Sequence, residues 1–260
     1  MMMNNHYYHL VKYSPWPILA ALNLASLGVS LVKWITMNSF FFFFFLLLTI
    51  LIVAQWWRDV IRETLYEGCR SNKINLTINL GMAFFIVSEL WFFISFFWAY
   101  FYFSLSPDMS MGLAWPPHGI TPMNFMDIPL LNTLTLLTSG FFITWSHHSL
   151  INYSFSMARA ALFSSIVTGG YFLSIQLYEY MNSTFSFCDS VFGNCFFILT
   201  GFHGIHVMIG LLFISVSYLR MVKKSFSPLF FHGFEYSIWY WHFVDLVWLF
   251  LYMFLYWWGM

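Results

Sequence analysis

The sequence predicts an all-α, polytopic membrane protein with seven transmembrane helices, and three observations predict it. Of 260 residues, 60% are hydrophobic and only 8% charged, whereas soluble domains carry about 25% Asp, Glu, Lys and Arg. Seven separate runs reach the roughly 20 apolar residues that a helix needs to cross a hydrocarbon layer about 30 Å thick. None of these runs shows the period-2 alternation of a lipid-facing barrel strand, so each must satisfy its backbone internally as a helix.

The runs cover residues 16–34, 40–57, 77–103, 129–151, 160–180, 191–219 and 236–257. Ser14-Pro15-Trp16-Pro17 opens the first, and prolines suit a helix start because the missing N–H would be unpaired there anyway. The second begins with a low-complexity phenylalanine run, 40–45, which is lipid-compatible filler. Pro107, Pro116, Pro117, Pro122 and Pro129 crowd the connection between the third and fourth spans, and Pro228 interrupts the connection before the seventh. The polar segment 1–11 lacks both the apolar stretch of a signal peptide and the Arg-rich pattern of a transit peptide. There is no internal repeat of the kind found in many transporters.

Charge sets the expected orientation. Ten basic residues balance ten acidic ones, leaving no positive field to attract nucleic acid. Lys12, Arg58, Arg62, Arg70, Lys73, Arg159, Arg220, Lys223 and Lys224 fall on the N-terminal side of the spans and only Lys33 opposite, so the positive-inside rule puts the N-terminus inside and the C-terminus outside. Asp108, Asp127 and Asp189 lie in the outer loops. This orientation argues against a G-protein-coupled receptor, whose N-terminus faces outward. Cys69, Cys188 and Cys195 are too few for a disulfide framework and form no CxxC pair.

Polar residues inside the spans are the candidates for function. Glu89 stands mid-span, where a charge costs about 2.5 to 3.5 kcal/mol on the translocon scale, so it pairs with a donor or keeps its proton. Its neighbours one turn away, Phe85, Ile86, Phe92 and Phe93, offer no donor, so a partner must come from another helix or from bound lipid or water. Two readings stay open: a proton-responsive group and an interhelical hydrogen bond. His242 can donate to Asp245 three residues on, a structural pair. His203 and His206 share one face beside Gly201, Gly204 and Gly210, a pattern that suits close helix approach and interhelical hydrogen bonding. With Glu89 and Glu179 they resemble in type a carboxylate-bridged metal site, but no Glu-x-x-His repeat accompanies them, so no metal is assigned. His147 and His148 close the fourth span where headgroups and water begin, and can collect protons at the surface.

Gln55-Trp56-Trp57-Arg58-Asp59-Val60-Ile61-Arg62-Glu63 leaves the second span at the inner interface. Tryptophans favour that depth, and Arg58 and Arg62, four apart, suit an anionic lipid headgroup. Pairing of Arg58 with Glu63 or Arg62 with Asp59 is the alternative, and the two are compatible. Asn75, Asn152 and Asn182 open glycosylation-type triplets that carry no assigned role.

These blocks resemble one family in order from end to end. Beside those quoted, Phe96-Phe97-Trp98-Ala99, Trp115-Pro116-Pro117-His118-Gly119-Ile120 and Pro129-Leu130-Leu131-Asn132-Thr133 belong to the likeness. So do Ile143-Thr144-Trp145-Ser146-His147-His148-Ser149-Leu150, Gly201-Phe202-His203-Gly204-Ile205-His206-Val207, Gly233-Phe234-Glu235, Trp239-Tyr240-Trp241-His242-Phe243-Val244-Asp245 and Tyr256-Trp257-Trp258-Gly259. The chain resembles subunit III of cytochrome c oxidase in its mitochondrially encoded form.

The resemblance implies a non-catalytic core subunit of respiratory complex IV, which moves electrons from cytochrome c to dioxygen and pumps protons. It implies no redox centre in this chain, haem A and copper being held by partner subunits. The main contact would be subunit I, with subunit II and small accessory subunits as further partners. The location would be the mitochondrial inner membrane, with the N-terminus in the matrix and the C-terminus in the intermembrane space. Helices 1 and 2, within residues 1–70, would be separated from a five-helix bundle, 71–260, by a V-shaped cleft holding phospholipids. Glu89 would support proton uptake, with His147 and His148 beside it in that role. Trp56, Trp57, Arg58, Arg62, Arg220 and Lys223 would border bound lipid, and His203, His206, His242 and Asp245 would be structural. Departures from the family pattern fall at Cys69-Arg70-Ser71, at Tyr102 and at Phe230-Phe231-His232. A small proton channel or secondary transporter, with Glu89, His203 and His206 as its path, is the rival function; it requires a water-accessible cavity.

Overall fold

The computed structural model describes residues 13–64, 72–109, 112–226 and 231–259. Lys12, Cys69, Arg70, Ser71, Pro228 and Phe230 lie outside the described residues. Among the described residues all extended regular structure is helical: α1 (Trp16–Met37), α2 (Phe41–Arg62), α3 (Asn72–Leu105), α4 (Ile128–Ile151), α5 (Phe155–Met181), α6 (Val191–Val222) and α7 (His232–Leu251). All seven are long and apolar enough to cross a membrane. Most run beyond the apolar stretches that predict them; α3, for example, spans Asn72–Leu105 against 77–103. Hydropathy marks only the part suited to hydrocarbon, while the hydrogen-bond ladder continues until a cap or proline stops it.

Local signals explain the ends. Prolines stand in the first turns of α1 and α4. Asn38 takes a left-handed conformation, φ 50°, to end α1, and its N–H donates to the Trp34 carbonyl at 3.0 Å. Ser190 caps α6, its hydroxyl oxygen accepting from the Gly193 N–H at 3.2 Å. Beyond Leu251 the last helix widens into a π-helical stretch, Tyr252–Trp257.

The chain groups into two compact units, Met1–Gly81 and Met82–Met260. In the first, α1 and α2 form a hairpin whose polar tie is Asn23. Its amide donates to Thr49 Oγ1 at 2.6 Å and to the Phe45 carbonyl at 3.2 Å. Near the turn, Trp34 stacks on Phe42 with ring centroids 5.3 Å apart.

In the second unit α7 is the most enclosed element, with Phe234, Trp241, Val244, Trp248 and Leu251 at 0–1% exposure. Lipid tails are as apolar as leucine, so helix association rests on close packing and hydrogen bonds. Trp241 supplies both: its indole N–H donates to Ser139 Oγ at 2.9 Å, and its ring lies over Gly169 and Gly210. A Cβ at Gly169 would come within 2.9 Å of that ring, and one at Gly210 within 2.8 Å. Of the glycines expected to admit a neighbour on α6, Gly210 does, but Gly201 and Gly204 would place a Cβ in open space. Gly169 of α5 is the partner that spacing along α6 could not reveal. Small hydroxyls draw α4 and α5 together, Ser165 Oγ donating to the Ser139 carbonyl at 3.0 Å and Ser146 Oγ to that of Ala158 at 2.8 Å. The α3 segment in this unit engages through long side chains: Phe93 and Tyr100 are fully buried, and the Tyr100 hydroxyl donates to the Phe254 carbonyl at 3.0 Å.

Candidate functional site

The donor that Glu89 needs comes from α6. Glu89 Oε2 lies 2.9 Å from His206 Nε2, and His206 Nδ1 lies 2.7 Å from the Phe202 carbonyl oxygen one turn earlier. A carbonyl oxygen only accepts, so Nδ1 carries a hydrogen. The contact at Nε2 then holds a single proton. Either the Glu89 carboxylic O–H donates to neutral imidazole, or the imidazolium N–H donates to the carboxylate; two bare acceptors would repel at that distance. In both arrangements the pair has no net charge, so the proton can change sides without placing an unpaired charge in hydrocarbon.

Aromatic rings pack around the His206 end of this bridge. Phe93 meets the His206 ring edge-on at 4.9 Å, Phe92 lies at 6.1 Å, and Tyr240 of α7 stacks at 6.5 Å. The Glu89 side chain keeps 25% exposure, against 10% for His206. One turn before His206, His203 is fully buried between Phe172 and Trp248, ring centroids 5.8 and 5.1 Å away. The two histidines thus share a face but not an environment: one is bridged to a carboxyl, the other clasped by rings. Among the described residues no group of three or more His, Cys, Asp or Glu is gathered as a metal site would require.

A second polar cluster lies between the far ends of α4, α5 and α7. Glu179 is 2% exposed and accepts from the Tyr256 hydroxyl at 2.6 Å and from the Asn132 amide at 3.4 Å. Asn132 also donates to Gln176 Oε1 at 3.2 Å, and nearby the Tyr180 hydroxyl donates to Thr200 at 2.7 Å. Sequence reasoning weighed Glu179 only as a conceivable metal ligand and missed this cluster. The available signal was Gln176 and Glu179, one turn apart inside an apolar span, with Asn132 in another.

The remaining candidates separate. His148 is exposed and its Nε2 lies 3.0 Å from the Asn152 amide, whereas His147 is half-buried with its ring edge-on to Phe231 at 5.6 Å. Trp57, Arg58 and Arg62 are exposed at the end of α2, and Trp56 is half-buried. Arg58 donates to Asp59 Oδ1 at 3.0 and 3.1 Å, and the Trp16 indole N–H donates to Asp59 Oδ2 at 2.8 Å. Asp59 is thus held by its neighbour in sequence and by α1, contacts that i to i+4 spacing along α2 does not show. The Arg220 guanidinium sits 4.2 Å over the Phe226 ring, and Lys223 is exposed just past α6. His242 Nδ1 stands 3.6 Å from Asp245 Oδ2, looser than the hydrogen bond expected from their spacing.

The family model for cytochrome c oxidase subunit III matches residues 6–260. Proteins named cytochrome c oxidase subunit 3 from Lycodon semicarinatus, Drosophila melanogaster and Anopheles gambiae are 49%, 48% and 47% identical to it, each over 98% of both chains. The chain belongs to the cytochrome c oxidase subunit III family.

Proposed function

We propose that the chain is a non-catalytic subunit of cytochrome c oxidase in the mitochondrial inner membrane that braces subunit I, holds phospholipid and aids proton uptake. Haem A and copper belong to its partners, and the contacts beyond subunit I are subunit II and small accessory subunits. The observation that carries the reading is the Glu89–His206 bridge, 2.9 Å from carboxyl oxygen to ring nitrogen with Phe93 edge-on to the imidazole. Such a pair can store or pass a proton near the pump entrance while remaining neutral. Exposed Trp57, Arg58 and Arg62 support contact with anionic headgroups, and Arg220 and Lys223 join them on the same side by the charge count. That count also puts the N-terminus in the matrix and the C-terminus in the intermembrane space.

Purification in mild detergent followed by an absorption spectrum tests the reading. Haem A and copper are expected to travel with the chain through its partners and to be lost when it is isolated. A tightly held metal centre coordinated by this polypeptide alone would overturn it. Proton transport by the isolated chain would favour a free-standing channel.

A further inference from the structure

Glu179 is the most enclosed acidic side chain among the described residues, at 2% exposure. It stands two residues before the end of α5, at the end of the bundle where Asp127 precedes α4 and Asp189 precedes α6. No ion pair reaches it among the described residues.

Its neighbours are neutral. The Tyr256 hydroxyl donates to Oε1 at 2.6 Å, and the Asn132 amide of α4 faces Oε2 at 3.4 Å. Gln176 and Tyr180 accompany it on α5, and beyond Tyr180 α6 contributes Thr200. His203 of α6 is set apart, clasped by Phe172 and Trp248. The titratable groups facing the carboxyl are therefore the hydroxyls of Tyr256 and Tyr180. A π-helical turn fixes Tyr256 in place. The Trp258 N–H donates to the Met253 carbonyl, five residues back, at 2.9 Å, and the Phe254 carbonyl takes the Tyr100 hydroxyl at 3.0 Å. Such turns within longer helices are frequent at functional sites.

A carboxylate here would set a full charge against one close donor, because the Asn132 contact exceeds the roughly 2.7–2.9 Å of a charge-assisted bond. An ion buried without a counter-charge is strongly disfavoured, and the group takes up a proton instead. The adjoining amides suit the acid. Asn132 Oδ1 and Gln176 Nε2 have no partner among the described residues. The oxygen and nitrogen of an amide exchange places by a half-turn about one bond. With both amides turned, Asn132 Oδ1 accepts from the Glu179 O–H on one side and from the Gln176 N–H on the other. The contacts are the same three groups with the donors reversed, so the cluster can carry a proton on Glu179 without moving its helices.

We propose that Glu179 is a proton-binding site: the folded bundle holds it as a carboxylic acid, Oε1 accepting from Tyr256 and Oε2–H donating to Asn132, and its ionisation weakens the joint between α4, α5 and the π-helical end of α7.

Infrared spectroscopy of the purified complex reads the protonation state. The difference between wild type and Glu179→Gln near neutral pH should contain the C=O stretch of a carboxylic acid; the stretches of a carboxylate in its place would overturn the proposal. Tyr256→Phe keeps Glu179 and removes the donor on its carbonyl oxygen, so the same band should move to higher frequency. An unmoved band would refute the site even if Glu179→Gln does not assemble. Thermal midpoints test the linkage. An unfolded glutamate ionises above about pH 4, so a native state that keeps the proton loses stability as pH rises, and the Gln variant does not. Between about pH 6 and pH 9 the midpoint of Glu179→Gln should gain on that of wild type; a constant or shrinking difference would overturn the proton-dependent joint.

Discussion

Glu89 and His206 show how one backbone acceptor fixes the chemistry of a side-chain pair. With the Phe202 carbonyl engaging Nδ1 at 2.7 Å, Nε2 is the only ring atom left for Glu89. Glu89→Gln retains the contact, since the amide N–H donates to Nε2, but removes the exchangeable proton. Assembly should stay intact and proton-coupled turnover should fall within about a factor of ten, roughly 1.4 kcal/mol of barrier. Steady-state oxygen consumption with proton-uptake traces checks this, and a complete loss of folded complex would assign Glu89 a structural role. Glu179 is the opposite case, a carboxyl that serves as an acceptor for Tyr256 and Asn132. Glu179→Ala leaves the Tyr256 hydroxyl buried and unpaired, at about 1–3 kcal/mol, and Asn132 with Gln176 as its acceptor, while Glu179→Gln keeps an accepting oxygen. The thermal midpoint of the purified complex should drop clearly for the first variant and much less for the second. Glu89 was conspicuous in the sequence because it stands alone among aromatic residues; its partner was not, because 117 residues separate them.

At the scale of helices, Trp241 sets the spacing of α4, α5 and α6 around α7, and Gly169 and Gly210 are required because its ring lies over them. Gly169→Ala would force a methyl group against Trp241 and Leu211, an overpacking that costs about 1–3 kcal/mol. Gly204→Ala meets nothing within 4 Å and serves as the control. Thermal inactivation of the complex should be faster for Gly169→Ala and unchanged for Gly204→Ala; equal rates would show that the α5–α7 seam relaxes around the added methyl. Helix existence and order were legible from hydropathy, since each span is bounded by loops rich in proline or polar residues. Helix ends were not, because hydrogen bonding continues past the apolar segment. Nor was the choice between Gly201, Gly204 and Gly210, since an i to i+3 or i+4 pattern on one helix does not say which neighbour a face meets.

For the whole molecule, the asymmetry of basic residues and the exposed apolar helices describe a subunit designed to be surrounded by lipid and other chains. Arg62, exposed at the end of α2, is suited to a phosphate because its planar fork offers paired donors. Arg62→Ala should reduce tightly bound anionic lipid in the purified complex, read by lipid mass spectrometry; an unchanged spectrum would refute the assignment. Arg58 should contribute less than its charge suggests, since Asp59 occupies its guanidinium at 3.0 Å.

Composition and span length determined the class of this protein without any tertiary information, because hydrocarbon admits a backbone only when its hydrogen bonds close within a helix or a closed barrel. The order of motifs along the chain was equally sufficient to suggest the family. Tertiary structure alone decided who partners whom: His206 rather than His203 for Glu89, Tyr256 and Asn132 for Glu179, Trp16 and Arg58 for Asp59. Polar groups in an apolar interior must find partners, but which partner each finds depends on helix rotation and depth. Those are fixed by packing among several helices at once, and no single stretch of sequence contains them.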